Sequence, residues 1–444
     1  MFSANDLQRS LRALQPAIAS GYVVGLSGGA DSAALLAAMA ELRPQLGSQT
    51  LRAIHIDHGL QPDSARFADL CEQLCRRFDV PLTVRKLSID PHAGRSLEEL
   101  AREARYAALE AELREGEALL TAHHVADQAE TFLLQALRGA GPAGLAGMPM
   151  SHAFGRGWHL RPLLEIEGPE LRAYLAAQGV EHVEDAMNAD VRFDRSYLRH
   201  ALWPVLAQRW PAAAAVLSRS AAHVAQAQRW CDAITQADLD ACRDGAALSA
   251  TRLRHLRHSR QLAVLRAFVD AANCRAPSQR RLEEGLRQML DARNDRMPAV
   301  HWAHHALRRY RTRIYLTPDT IAEPSPREWR WRTEPVLKWG AGLGTLRLRP
   351  HAGGLDAAQL PAVLQVRARL GGEALKPAPG SATREVRHLF QQRSIVPWMR
   401  SAIPYLFAGK SLLAVADLWS DARYRVAPGA RGLALVWDDA PPLD

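Results

Sequence analysis

Val23-Val24-Gly25-Leu26-Ser27-Gly28-Gly29-Ala30-Asp31-Ser32 is the stretch on which the fold turns. A short apolar run, Tyr22 to Leu26, ends in a glycine-rich turn, and Ser32 to Leu42 then has helical spacing. Beyond that helix, Leu51 to Ile56 reads as a second buried strand, and Ser64 to Phe78 as a helix. Pro81 to Leu87 alternates like a strand, Ser96 to Arg114 is helical, Ala118 to Ala122 is a fourth strand, and Asp127 to Leu137 is a helix. Strand and helix alternating with short connections predict an α/β domain, a parallel sheet covered on both faces.

The turn also carries chemistry. Adjacent Gly28 and Gly29 let backbone N–H groups close around an anion with no Cβ in the way, and the helix start beyond adds partial positive charge. Ser27 and Ser32 can donate hydroxyl hydrogen bonds, while Asp31 would repel a phosphate unless a divalent cation bridged them, which implies Mg²⁺. A glycine pair alone also suits a plain strand-to-helix turn capped by Ser32; the full string Ser27–Ser32 carries the phosphate reading. Asp127 and Glu130, three apart on a helix, share a face. With Asp31 they could hold one Mg²⁺, although carboxylates also favour a helix N-terminus by ~0.3–1 kcal/mol. His123 and His124 close a strand, and Arg105, Arg195 and Arg199 can clamp phosphate as readily as they can form surface ion pairs.

Ser27-Gly28-Gly29-Ala30-Asp31-Ser32 resembles the SGGxDS signature of the N-type ATP pyrophosphatases, the PP-loop enzymes. The surrounding motifs resemble the tRNA(Ile)-lysidine synthetase branch of that family. They are His55-Ile56-Asp57-His58-Gly59-Leu60, Ala101-Arg102-Glu103-Ala104-Arg105-Tyr106, Thr121 to Thr131, Arg138-Gly139-Ala140-Gly141, and Gly144 to Met148. Glu184 to Asn188 with Arg195 and Arg199, Arg367 to Glu373, Leu389-Phe390-Gln391, and Pro397 to Arg400 extend the likeness over nearly the whole chain. Three departures stand out: Ala126 replaces an aspartate, Ala186-Met187 replaces Pro-Ser, and Ser196 replaces asparagine.

The resemblance implies a parallel-sheet PP-loop (adenine nucleotide alpha hydrolase-like) domain, then a helical domain and a small α+β C-terminal domain. It implies ATP and Mg²⁺ as cofactors, with free L-lysine and tRNA(Ile) bearing a CAU anticodon as partners. Lysine would be ligated to C2 of the wobble cytidine through an adenylated intermediate, releasing AMP and pyrophosphate and changing decoding from AUG to AUA. The residues it assigns to catalysis are Asp31, Asp127, Glu130, His123 and Arg105, with His123 or a carboxylate taking the proton from the lysine ammonium. Ser27, Gly28, Gly29, Ala30, Asp31, Ser32 and His58 would bind ATP; Asp31, Asp127 and Glu130 would bind the metal. Arg195, Arg199, Arg367, Arg369 and Arg400 would contact tRNA or phosphate.

Composition fits a protein with two jobs. The 444 residues predict two or three domains, and 48% hydrophobic with 23% charged residues excludes wholesale disorder. The net charge of +9 is uneven: residues 1–210 carry −5 and residues 211–444 carry +14. Arginine over lysine can reflect codon bias, but that does not explain why the surplus lies after residue 210, where a polyanion would be gripped. Boundaries at 1–215, 216–325 and 326–444 are expected, with Pro211 to Arg296 helical and the proline-containing stretch Pro318 to Pro335 a linker. Thr345 to Arg349, Val363 to Arg369, Ser411 to Ala416 and Gly432 to Val436 read as strands. Trp302, Trp329, Trp331, Trp339 and Trp398 could stack on bases or pack in a core.

Five cysteines without a CxxC pair predict reduced thiols, and with no signal-like or membrane-spanning run the expectation is a cytoplasmic protein with no obligatory protein partner. Gly409-Lys410-Ser411 imitates the end of a Walker A loop but has Pro404 where that loop needs glycine. His301-Trp302-Ala303-His304-His305 lacks the spacing of a zinc site. Three rival readings remain: a tRNA-thiolating PP-loop enzyme, which would want paired cysteines; an amidating ligase, which would not use a basic C-terminal half; and a non-catalytic RNA-binding protein on a decayed ATP fold.

Overall fold

The computed structural model describes residues 1–14, 19–57, 64–87, 97–183, 194–274, 276–293 and 296–443. His58 and the segment Glu184 to Asn188 lie outside them. The chain divides into two compact units, Met1–Asp232 and Ala233–Asp444.

Unit 1 opens with α1 (Ala4–Leu14), β1 (Gly21–Gly25), α2 (Ala30–Leu42), β2 (Thr50–Asp57), α3 (Ser64–Arg77), β3 (Leu82–Lys86), α4 (Leu97–Glu112) and β4 (Glu117–Leu120). It continues through α5 (Val125–Leu137), the short α6 (Pro142–Leu145), β5 (Ser151–Phe154), β6 (Gly157–Leu160) and α7 (Gly168–Ala177). After these come α8 (Asp194–Tyr197), a π-helical turn (Leu198–Leu202), α9 (Trp203–Arg209) and α10 (Ala213–Cys242), whose residues after Asp232 belong to unit 2. The sheet order is β3-β2-β1-β4-β6-β5, parallel except for β5, which pairs antiparallel with β6. β1 therefore has β2 on one side and β4 on the other, so the chain reverses its direction of travel at β1. Open α/β sheets bind ligands at such a switch point.

Burial follows the sequence pattern. Val24 of β1 faces a core with Leu35, Leu36 and Met39 of α2 and Leu171 of α7, while Val23 faces the opposite layer with Ile54, Leu109 and Leu119. α2 is apolar nearly all round because other elements cover it on several sides. Arg52 and Glu117 are both buried and face each other across the sheet, with Arg52 Nε 2.9 Å from Glu117 Oε1. Four cysteines are buried and Cys231, on α10, is exposed.

Unit 2 is richer in strands than expected. The hairpin β7 (Arg243–Asp244) and β8 (Ala247–Ser249) is followed by α11 (Ala250–Arg254), α12 (His258–Asp270) and α13 (Gln279–Asp291). Then come β9 (Ala299–Trp302), β10 (His305–Tyr310) and β11 (Arg313–Pro318), in a five-stranded sheet of order β7-β8-β11-β10-β9. The helical expectation holds for α10 to α13, but an antiparallel sheet accompanies them. Beyond it, β12 (Arg327–Trp329) lies inside the stretch expected as linker. β13 (Leu337–Lys338), β14 (Thr345–Ala352), β15 (Leu364–Arg367), β16 (Ala374–Leu375), β17 (Arg384–Glu385), α14 (Val386–Gln392), β18 (Tyr405–Ala408), β19 (Ser411–Val415), β20 (Trp419–Ser420) and β21 (Arg431–Asp438) complete an α+β arrangement.

Three of the five tryptophans read as stacking candidates are core residues. Trp302, Trp329 and Trp339 are buried, and Trp339 Nε1 donates to the Ala402 carbonyl at 2.6 Å. Trp331 and Trp398 are half-buried, and Arg332 lies 4.3 Å above the Trp331 ring. Gly409-Lys410 is the two-residue turn of the β18–β19 hairpin, and His301 pairs with Asp319.

Candidate active site

The Ser27–Ser32 loop is stitched by its own hydroxyls. Ser32 Oγ donates to the Gly29 carbonyl at 3.0 Å and accepts from the Ser27 N–H at 3.2 Å. Its one proton being committed, Ser27 Oγ donates to Ser32 Oγ at 3.0 Å. Below the loop, the Leu26 N–H donates to the Ile54 carbonyl at 2.9 Å, and His55 Nδ1 donates to the Leu26 carbonyl at 2.9 Å. Gly28 has φ +86, the left-handed region a side chain resists, so the tight turn requires glycine there. α2 starts at Ala30, putting its free N–H groups and Asp31 at the mouth of the loop.

The second wall is the start of α5, and His124 organises it. Its Nδ1 accepts from the Ala126 N–H at 3.2 Å, while Asp127 Oδ2 accepts from the His124 N–H at 3.0 Å, a reciprocal cap. The other ring nitrogen, Nε2, then stands 3.5 Å from Asp31 Oδ2 and 3.7 Å from Asp127 Oδ2, so one imidazole joins the loop to the helix. Burial disfavours charge on this ring, but the hydrogen bond with Asp31 and the charge of Asp127 outweigh it and raise its pKa.

The third wall is the α8 segment. Arg199, on the π-helical turn, places Nε 2.5 Å from Glu130 Oε1 and Nη2 2.7 Å from Asp127 Oδ1 and 2.9 Å from Glu130 Oε2. A π turn carries one extra residue per turn and is frequent at functional sites. Here it is where the guanidinium fork reaches two carboxylates. Glu130 is only 1% exposed, and burial holds its pKa above the ordinary value despite Arg199. Arg195 donates to Thr131 Oγ1 at 3.1 Å. Arg105 is half-buried beside the Tyr106 ring and has no carboxylate partner among the described residues; burial, with the nearby Arg102 and Arg195 charges, lowers its pKa. Its positive charge is therefore unspent, which suits an anionic ligand.

The three carboxylates expected to share a metal are placed unequally. Among the described residues no three His, Cys, Asp or Glu side chains are gathered as a metal site. Both Glu130 oxygens are on Arg199, and Asp127 spends one oxygen on Arg199 and one on the His124 N–H. Asp31 differs: its Oδ1 is buried and has no hydrogen-bond partner. One unspent hard oxygen beside a phosphate cradle fits Mg²⁺, which takes one or two carboxylates and completes its shell with phosphates and water.

In unit 2, Arg367 donates to Glu373 Oε1 at 2.8 Å and lies over the Phe407 ring, and Arg400 donates to the Ile395 carbonyl at 2.8 Å. Arg369 has no such partner among the described residues. The role of His124 as organiser, and the line Thr121, His159 and Arg161 behind its neighbour His123, were not expected from the sequence. For His124 a signal was available, a polar residue just before α5 with an acid three positions after it; His159 alternates with Trp158 and Leu160 and so reads as the solvent face of its strand.

The profile of the family described as "PP-loop domain" matches residues 3–206, that of the "TilS substrate binding domain" residues 248–315, and that of the "TilS substrate C-terminal domain" residues 364–437. A tRNA(Ile)-lysidine synthase of Alkalilimnicola ehrlichii is 41% identical over 433 residues, covering 97% of this chain and 96% of its own length. One from Ralstonia nicotianae is 40% identical over 93% of this chain and 92% of its own, and one from Coxiella burnetii 36% over 89% and 88%. With a PP-loop site formed at the sheet's switch point and relatives matching it from end to end, the chain belongs to the tRNA(Ile)-lysidine synthase family.

Proposed function

We propose that the chain ligates the ε-amine of free L-lysine to C2 of the wobble cytidine in tRNA(Ile) with a CAU anticodon, at the expense of ATP. The observation that carries the reading is the 41% identity to a lysidine synthase over 97% of the chain, catalytic and substrate-binding segments together. The C2 oxygen of cytidine bonds to the α-phosphorus and pyrophosphate leaves; the lysine amine then bonds to C2 and AMP leaves.

In this reading Ser27 to Ser32, with His58, cradle the ATP phosphates, and Arg105 and Arg195 offset their charge. Asp31 would hold Mg²⁺ through its unspent oxygen, with Asp127 and Glu130 available to it if Arg199 turns to the substrate. When bound, the ion supplies Lewis-acid stabilisation of phosphate charge. The wobble base must be splayed out of its loop to be reached. The arginine-rich segments after residue 210, Arg369 foremost, would grip tRNA phosphates, with Arg367 and Arg400 shaping the surface from within. The division into a catalytic part (1–215), a middle tRNA-binding part (216–325) and a C-terminal tRNA-binding part (326–444), and a cytoplasmic site of action, belong to the same proposal. A thiolating role is disfavoured because burial pushes the Cys71 and Cys75 thiols up to about 12, far from reactive thiolates.

The test is incubation of the full chain with ATP, Mg²⁺, labelled lysine and a tRNA(Ile) transcript bearing CAU. Label should enter the tRNA with one AMP and one pyrophosphate per lysine. Incorporation of sulfur or another amine instead, or equal turnover in Asp31→Ala, would refute it.

A further inference from the structure

A line of polar side chains runs from the end of β4 back into the sheet. Arg161, 5% exposed, points Nη2 at His159 Nδ1 from 3.3 Å. His159 is fully buried, and its Nε2 lies 2.8 Å from Thr121 Oγ1. The same hydroxyl oxygen lies 2.8 Å from His123 Nδ1.

Of the two orders of donation these contacts allow, one gives the Thr121 hydroxyl proton an acceptor. A guanidinium can only donate, so His159 Nδ1 accepts and carries no proton. A neutral imidazole has one N–H, which must then be on Nε2 and must point at Thr121. The hydroxyl, having accepted from His159, turns its single proton to His123 Nδ1; donation the other way, from an Nδ1–H to Thr121, would leave that hydroxyl proton with no acceptor among the described residues. His123 Nδ1 is therefore the acceptor, and the proton of the His123 ring is on Nε2, which has no partner among the described residues. Both rings are held neutral. For His159, burial and then the charge of Arg161 lower the pKa to about 2; for His123, burial outweighs the pull of Asp127, and Arg161 and Arg195 add to it, giving about 3.

The ring stands at the switch point, one residue before His124, whose Nε2 reaches Asp31. We infer that His123 acts in the transfer at the α-phosphorus as a neutral hydrogen-bond donor through Nε2–H, with Thr121, His159 and Arg161 as positioning residues that fix its tautomer. A ring in this state cannot take the lysine proton at Nε2, because that nitrogen already bears one. The donor meets a phosphoryl oxygen as charge builds on it, while the bond from the cytidine oxygen to phosphorus forms and the bond to pyrophosphate breaks. The His123 proton stays in place throughout. This assignment rests on the adenylation reading above.

Two measurements test it on the full-length chain. The first is the ring-nitrogen NMR spectrum of histidine-labelled protein at neutral pH. His123 should show a protonated Nε2 and a bare Nδ1, unchanged in Thr121→Ser and lost to a mixed state in Thr121→Val, with both variants folded by their amide spectra. A protonated Nδ1 or an imidazolium in the parent protein would overturn the inference, as would an unaltered tautomer in Thr121→Val. The second is single-turnover pyrophosphate release with ATP and the tRNA transcript, without lysine. His123→Ala should slow it by about 10²-fold, the usual loss for one such donor, and His123→Gln, which restores an N–H near that place, should recover most of it. Normal pyrophosphate release in His123→Ala, with only the lysine step slowed, would identify a base and defeat the donor role. Absence of pyrophosphate release in the parent protein would instead defeat the adenylation reading, leaving the tautomer to the spectrum.

Discussion

Arg199 holds two carboxylates that would otherwise repel each other inside unit 1, and one of them, Glu130, is almost wholly buried. Cutting one side of a buried, hydrogen-bonded charge pair costs about 3–5 kcal/mol, because the remaining charge has no water to turn to. Arg199→Ala should therefore lower the melting temperature as well as abolish lysine incorporation. Arg199→Lys, which keeps the charge without the fork, should recover stability more than activity; equal recovery of both would argue against a need for the bidentate geometry. At Gly28 the expected defect is conformational. An alanine there meets only ordinary contacts, the nearest being Cys71 Sγ and Phe67 at 3.5 Å, but φ +86 costs an L-residue about 1–2 kcal/mol. Gly28→Ala should raise the KM for ATP while leaving tRNA affinity, measured by filter binding, unchanged.

At the scale of elements, β2 and β4 are cross-linked by Arg52 and Glu117 inside an otherwise apolar layer. Burial pushes the Glu117 pKa up, but the bonds from Arg52 and from the Arg114 N–H prevail and leave it below the ordinary 4.5. The unfolded chain thus binds the proton first, so this carboxylate stabilises the fold above about pH 4.5, and its contribution is lost as pH falls through the lower folded value. Glu117→Gln should melt earlier than the parent at pH 7, with the gap closing in thermal melts run toward pH 3; a gap independent of pH would exclude the ionic account. The same elements show what the sequence reveals and what it hides. β1, α2 and the loop between them were legible because an apolar run, a glycine pair and a helical spacing follow one another without interruption. β10 was not, because Arg309 sits at a core position, 1% exposed, donating to the Met289 and Ala292 carbonyls at the end of α13. A buried arginine looks like surface in a one-dimensional pattern, and so the strand was hidden among helices. The carboxylates and arginines of the site were legible from their types and spacing. The clasp of Arg199 on Asp127 and Glu130 was not, since the partners are about 70 residues apart and only the fold joins them.

Over the whole molecule, charge and thiols give separate tests. The surplus of +14 after residue 210 predicts tRNA binding that weakens steeply with salt, each phosphate contact adding about 0.7–0.9 to the slope of log affinity against log salt. Arg369→Gln should weaken binding of the full chain and reduce that slope by about one, with ATP affinity unaltered; an unchanged slope would remove Arg369 from the phosphate contacts. The thiols offer something of a different kind. Four of the five are enclosed, those of Cys71 and Cys75 with pKa values near 12, and Cys231 alone is open to solvent, one residue before the division between the two units. A maleimide or thiol-titrating reagent should consequently react quickly with one equivalent per native chain, and with the other four only on unfolding. The parent sequence thus comes with its own unique attachment point for a fluorophore or spin label, on the long helix and remote in sequence from the nucleotide loop, so that tRNA engagement can be followed optically without a single engineered substitution.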